Sequence, residues 1–86
     1  KMTKPQYTAE INTLADRLQT VDDFNMSYEN ITTEIYDEEA DRAQMLLDGE
    51  VIAKYCYSGP WFYPVEVNPT LLAEALEITK DIEIDL

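Results

Sequence analysis

The sequence predicts an α+β domain in which an N-terminal helix precedes a small antiparallel sheet and a second helix follows. Three observations predict it: apolar residues at helical spacing near the start, β-type runs on either side of Asp48-Gly49, and the helix-start pair Asn68-Pro69. We expect the sheet to be a meander of about three strands. With 86 residues, of which 45% are apolar, the chain is predicted to form one domain over residues 1–86.

The first helix is predicted from apolar residues that recur at intervals of four, three, four and three. These residues are Tyr7, Ile11, Leu14, Leu18 and Val21. Such spacing places them on one face, which we expect to pack against the core. Residues 1–6 are polar and contain a proline, so we expect a flexible start with Thr8 as the N-cap. After the helix, Phe24 and Met26 are predicted to fold back onto the core.

The middle of the chain begins with a strand and continues with an ambiguous segment. Residues 31–36 are β-branched at most positions and place Ile31, Thr33 and Ile35 on one face. Residues 37–48 fit a helix, because acids begin the segment and Gly49 could end it. They also fit a strand, because Asp-Gly between apolar runs is a hairpin signal. We favour the hairpin. It predicts three cross-strand pairs: Leu46 with Val51, Met45 with Ile52, and Arg42 with Tyr55.

The third strand is predicted over residues 50–57, with one face carrying four residues and the other carrying three. The first face is Val51, Ala53, Tyr55 and Tyr57, and the second is Ile52, Lys54 and Cys56. Residues 58–60 should break this strand. Asn68 and Pro69 then begin a helix that ends near Thr79. Residues 80–86 are predicted to be an acidic tail or a short edge strand.

Three absences argue against an enzyme. The chain has no histidine, one cysteine and two glycines, which removes the commonest general base, a cysteine–histidine pair and a glycine-rich phosphate loop. The acids of residues 37–41 lack the spacing of an EF-hand. We therefore predict no catalytic residue, no cofactor and no metal site. Cys56 is expected to be a small core residue, and a lone cysteine without a signal peptide predicts the cytoplasm.

The charge balance predicts the kind of partner. Eighteen acids and six bases give a net charge of −12, which disfavours direct binding to nucleic acid or to an anionic membrane. We expect a partner with a basic surface. Ten acids and one base lie between Asp22 and Glu50, and a folded array of carboxylates can imitate the phosphates of a nucleic acid. The candidate residues are Asp22, Asp23, Glu34, Asp37, Glu38, Glu39, Asp41 and Glu50. The alternative is that these acids only solvate the surface.

A second hypothesis comes from three aromatic residues between two prolines, Trp61, Phe62 and Tyr63. They either project from a loop as anchors for a partner or fold back to close the core. As anchors, they predict an assembly module, either a homodimer or a small subunit of a complex. The edge segment from Ile82 to Leu86 could make such a contact instead.

In size and composition the chain resembles the small acidic inhibitors that phages and mobile elements direct against nucleic-acid enzymes of the host. Uracil-DNA glycosylase inhibitors and several anti-CRISPR proteins are of this kind. The resemblance rests on length and acidity alone and assigns no residue a role. It implies an inhibitor that occupies the basic surface of a nucleic-acid-binding or defence protein.

Overall fold

The computed structural model describes residues 3–84, in which two helices flank four strands. The elements are α1 (Lys4–Val21), β1 (Ile31–Asp37), β2 (Arg42–Leu47), β3 (Glu50–Ser58), β4 (Trp61–Val67) and α2 (Pro69–Ile78). The strands are all antiparallel and lie in the order β1-β2-β3-β4, so the sheet is a meander. The predicted α+β class and the order of elements are confirmed. The sheet has four strands rather than about three.

Residues of both helices and of all four strands share one core, so the helices cover the same face of the sheet. The fully buried residues include Ile11 and Leu14 of α1, Met45 and Tyr55 of the sheet, and Leu72 of α2. The helical stripe predicted for α1 is confirmed over its central part. Its last member, Val21, is 46% exposed where the helix ends. The opposite face of the sheet has no helix over it within the described residues.

The fourth strand was missed because Pro64 lies inside it. Proline removes a ladder hydrogen bond and is tolerated in edge strands and at bulges. Both conditions hold here, since β4 is an edge strand and its register with β3 shifts beside Pro64. Tyr55 pairs with Pro64 and Lys54 pairs with Glu66, which leaves Val65 without a partner.

The Asp48-Gly49 hairpin is confirmed, and the helical alternative for residues 37–48 is wrong. Asp48 has φ 52° and Gly49 has φ 82°, the left-handed values that a two-residue type I′ turn requires. The predicted pair of Leu46 with Val51 is also confirmed.

A β-bulge at Ile52 changes the rest of this register. The bulge pairs Met45 with Ala53, and Arg42 with Cys56, so both remaining predicted pairs are wrong by one residue. The predicted faces of β3 are affected as well. Ile52 and Ala53 are both buried, although neighbouring residues of a regular strand face opposite ways.

The first helix begins earlier than predicted. Thr3 is the N-cap, and its backbone N–H donates to Oε1 of Gln6 at 2.7 Å. Pro5 lies in the first turn, where a missing N–H costs no helical hydrogen bond. The expected cap at Thr8 is therefore wrong, as is the flexible start for residues 4–6. Residues 1 and 2 lie outside the described range.

The second helix begins at the predicted residue. Oδ1 of Asn68 accepts a hydrogen bond from the backbone N–H of Leu71 at 3.2 Å, and Pro69 is the first helical residue. Beyond the helix, residues 80–84 contain no strand, and residues 85 and 86 lie outside the described range. Among residues 3–84, neither helix is long and apolar enough to cross a membrane.

Candidate functional site

The tip of the β1–β2 hairpin holds four of the candidate acids, all exposed. Asp37 Oδ1 accepts a hydrogen bond from the backbone N–H of Ala40 at 3.1 Å, and the N–H of Asp41 donates to the carbonyl of Glu38 at 3.3 Å. Asp41 itself has φ 53°. This compact turn keeps the side chains of Glu38 and Glu39 in solvent, where their charges are accessible to a partner.

Two further candidate acids, Glu34 on β1 and Glu50 on β3, lie away from the hairpin tip. Glu34 lies near the middle of the strand and accepts a hydrogen bond from the side-chain amide of Gln44 on β2. Glu50 opens β3 beside the turn, where Asp48 Oδ1 accepts from Asn30 Nδ2 at 2.7 Å. The length of β1 separates the two groups by roughly 20 Å at a strand rise of about 3.3 Å per residue. The carboxylates therefore extend along the hairpin rather than forming one cluster.

Asp22 and Asp23 lie in the loop that leads from α1 to β1. Asp22 Oδ1 accepts a hydrogen bond from the backbone N–H of Asn25 and Oδ2 accepts one from the hydroxyl of Ser27, both at 3.0 Å. These hydrogen bonds favour the ionised form and hold the pKa of Asp22 below its ordinary value. Asp22 thus has a structural role in the loop as well as a charge, whereas Asp23 is exposed.

We call the eight candidate acids the acidic hairpin surface. They are Asp22, Asp23, Glu34, Asp37, Glu38, Glu39, Asp41 and Glu50. The ion pairs within residues 3–84 are Lys54 with Glu66 at 3.8 Å and Lys80 with Glu77 at 2.6 Å, and neither includes a member of this surface. Arg42 is the base nearest in sequence to the hairpin-tip acids. In the strand register it lies opposite Asp37 on β1 and opposite Cys56 on β3.

The predicted aromatic triplet is divided by the alternation of β4. Phe62 is 8% exposed and packs edge-on against Tyr55, with ring centroids 5.0 Å apart and planes at 85°. Trp61 and Tyr63 point to the other face and are 58% and 49% exposed. Phe62 is thus a core residue and is not available to a partner, while its two neighbours are.

The open face of the sheet carries aromatic and basic residues together. The Nζ of Lys54 lies 5.6 Å from the ring centroid of Tyr36, which is 42% exposed. Cys56 is half-buried and pairs with Tyr63 in the register, so it lies on this face instead of in the core as predicted. Sequence reasoning missed this group because its members come from three strands and meet only through the register.

Phe24 is the most exposed large apolar side chain among the described residues, at 94%. The prediction that it folds back onto the core is wrong, although Met26 does pack against the core. Its polar neighbours Asp22, Asp23 and Asn25 were the available signal that this segment is a surface turn.

The arrangement offers exposed charges and apolar contacts. Among residues 3–84, no three acidic or cysteine side chains are placed to hold a metal ion. No protein-family model, curated protein or solved structure matches the chain.

Proposed function

We propose that the chain is a small acidic binding protein, without catalytic activity, that acts in the cytoplasm on a partner with a basic surface. The most concrete form is an inhibitor that occupies the nucleic-acid-binding surface of a nucleic-acid-binding or defence protein. The observation that supports it is the acidic hairpin surface, whose carboxylates form no ion pair within the described residues.

Exposed carboxylates that an ordered hairpin and its neighbouring loops hold apart can imitate the charges of a phosphate backbone. Each strand of a DNA duplex carries a charge every 3.4 Å, so the roughly 20 Å between the two ends of β1 corresponds to about six phosphates. Binding to a basic groove would be stabilised by the release of counterions from that groove. The net charge of −12 would also speed association through electrostatic steering. Binding of this kind weakens as the salt concentration rises.

The test is a charge reversal at the hairpin tip. We would substitute Glu38→Lys, Glu39→Lys and Asp41→Lys together and capture partners from cytosolic lysate, with elution by a salt gradient and identification by mass spectrometry. The expected partner is a basic nucleic-acid-binding protein that elutes at modest salt and is displaced by duplex DNA or by RNA. The triple variant should lose it.

The matched control reverses three exposed acids away from the hairpin, Asp16→Lys, Glu74→Lys and Glu83→Lys, and so changes the net charge equally. The control should retain the partner. Equal capture by both triple variants and the unmodified protein would contradict the proposal.

A second candidate function is an assembly module that binds through the open face of the sheet. It is favoured by the exposure of Trp61 and Tyr63, because exposed aromatic residues are typical anchors of protein interfaces. The contact would join two copies of the chain or join the chain to a larger complex. Its association would not weaken as the salt concentration rises, because an apolar contact does not depend on attraction between opposite charges.

A further inference from the structure

The outer edge of β1 has backbone groups that point away from the sheet. The N–H and carbonyl of Ile31 both bond to Tyr28, at 2.9 and 3.0 Å, and the carbonyl of Asn30 bonds to the N–H of Asp48 on the side of β2. Because the direction alternates along a strand, the N–H and carbonyl groups of Thr33 and Ile35 point outward like those of Ile31. These groups are a template for another strand.

The two edges of the sheet differ in how they are protected. Edge strands are commonly blunted by proline, lysine or bulges. β4 contains Pro64 and a bulge, and the side chains of Lys4 and Tyr7 lie beside it. The β1 edge has a bulge only near its end, where the register shifts between Ile35 and Asp37. The stretch from Thr33 to Ile35 contains no proline, no lysine and no bulge.

A notch of about 270 Å³ adjoins this stretch, between the edge of β1 and the loop after α1. Phe24 and Met26 line one side and Ile35, which is 55% exposed, lines the other. The hydroxyl of Thr33 donates to the carbonyl of Met26 at 2.8 Å and so ties the loop to the strand. Met26 has φ 49°, a left-handed value that is uncommon outside glycine, so the backbone of this loop carries some strain.

The charges around the notch have one sign. Glu34 lines it directly, Asp22 and Asp23 belong to the same loop as Phe24, and no lysine or arginine is among the lining residues. A strand paired with Thr33 and Ile35 would place alternate side chains beside the notch and beside Glu34 on the open face. The complementary sequence alternates apolar and basic residues.

We propose that an extended segment of the partner, with alternating apolar and basic residues, adds to β1 as a fifth strand and places an apolar side chain in this notch. The inference rests on the proposed function for the basic character of the partner. It goes further in assigning the contact to backbone pairing at Thr33 and Ile35, with Phe24 as one wall. An unpaired edge that accepts a strand is a recurring mode of peptide recognition.

The test uses a blocked heptapeptide of alternating valine and lysine as the probe. Binding to the isotopically labelled protein would be followed by the NMR shifts and the solvent exchange of backbone amides. We expect slowed exchange of the Thr33 and Ile35 amides and weak binding that glutamate in place of lysine abolishes. Amide shifts confined to residues 37–41, or equal binding of the glutamate peptide, would overturn the proposal.

The decisive variant is Ile35→Pro, since the N–H it removes points away from β2 and no ladder hydrogen bond is lost. It should weaken peptide binding by about tenfold or more, the effect expected when a backbone pairing and its neighbours are lost. The matched control Ile35→Val keeps the N–H and the β-branched shape. Equal binding by both variants would overturn the proposal.

A second probe covers the case in which Ile35→Pro fails to fold. Two versions of the peptide would be made, one N-methylated at every valine and one at every lysine, and each version cannot donate hydrogen bonds from one of its two edges. Only one of the two versions should bind the unmodified protein, and equal binding of both would overturn the inference. Loss of lysate capture in the hairpin-tip variant, with unchanged capture by Ile35→Pro, would leave the proposed function intact and remove this inference alone.

Discussion

Asn12 of α1 and Phe62 of β4 are joined by two hydrogen bonds inside the core. The Oδ1 of Asn12 accepts from the backbone N–H of Phe62 at 3.1 Å, and its Nδ2 donates to the carbonyl of Phe62 at 2.9 Å. The asparagine is 8% exposed. It therefore acts as a substitute strand for one residue of the β4 edge, because its amide satisfies the two backbone groups that no fifth strand reaches.

We expect Asn12→Ala to lower the free energy of unfolding by about 2–3 kcal/mol, because it leaves a buried donor and a buried acceptor without partners. The measurement is urea unfolding followed by circular dichroism. Asp16→Ala, at an exposed position of the same helix, is the control and should change the free energy by less than about 0.5 kcal/mol. A loss at Asn12 no larger than that of the control would show that water replaces the amide.

Local signals in the sequence were sufficient for the second helix and for the central hairpin. Asn68 acts through its own side chain, and Pro69, Asp48 and Gly49 act through their own backbone conformation, so these signals depend little on the rest of the chain. Bulges are different, because an extra residue such as Ile52 changes which residues pair without leaving a pattern in the sequence. Phe62 is grouped with Trp61 and Tyr63 for another reason, because Pro64 argues against the strand whose alternation separates them.

The candidate site is only partly visible in the sequence, for a different physical reason. The acids were recognisable from composition, and the structure shows that five of them lie exposed on the β1–β2 hairpin, with Glu50 on β3 and Asp22 and Asp23 in the loop before β1. The edge of β1 depends on which backbone groups point away from β2. The notch beside Phe24 depends on a loop that contains residues in the left-handed conformation. Neither is encoded in local periodicity, so only the folded chain brings Phe24 and Ile35 together.

The loop beside the notch should loosen in acid. The folded protein holds the pKa of Asp22 below its ordinary value, so the stabilising contribution is present at neutral pH and is lost as the pH falls through the folded value. We expect the Asn25 amide to exchange faster, relative to its intrinsic rate at the same pH, in Asp22→Ala at neutral pH and in the unmodified protein on acidification. Asp23→Ala is the control, and similar exchange in both variants would contradict the assigned hydrogen bonds.

Burial of Tyr55 predicts a loss of stability in alkali. Desolvation raises the pKa of this phenol above its ordinary value, so the folded state favours the neutral form. Stability should be unaffected below the pKa of an unfolded tyrosine, about 10, and should fall as the pH rises above it. Urea unfolding at several alkaline pH values should show a smaller loss in Tyr55→Phe, measured from its own value at neutral pH. Tyr63→Phe, at an exposed position, should keep the full loss, and the same pH dependence in all three proteins would contradict the prediction.

The two candidate functions differ in what they predict for the free protein. Each copy carries a net charge of −12, and the repulsion between two such copies opposes contact through the open sheet face. We therefore expect a monomer by sedimentation at physiological salt and at high protein concentration, with Trp61→Ala sedimenting identically. At high salt the repulsion is screened, and an apolar contact through Trp61 and Tyr63 would then strengthen. A dimer that persists or strengthens as the salt concentration rises and dissociates in Trp61→Ala would favour the assembly module over the acidic inhibitor, because screening weakens only contacts that depend on opposite charges.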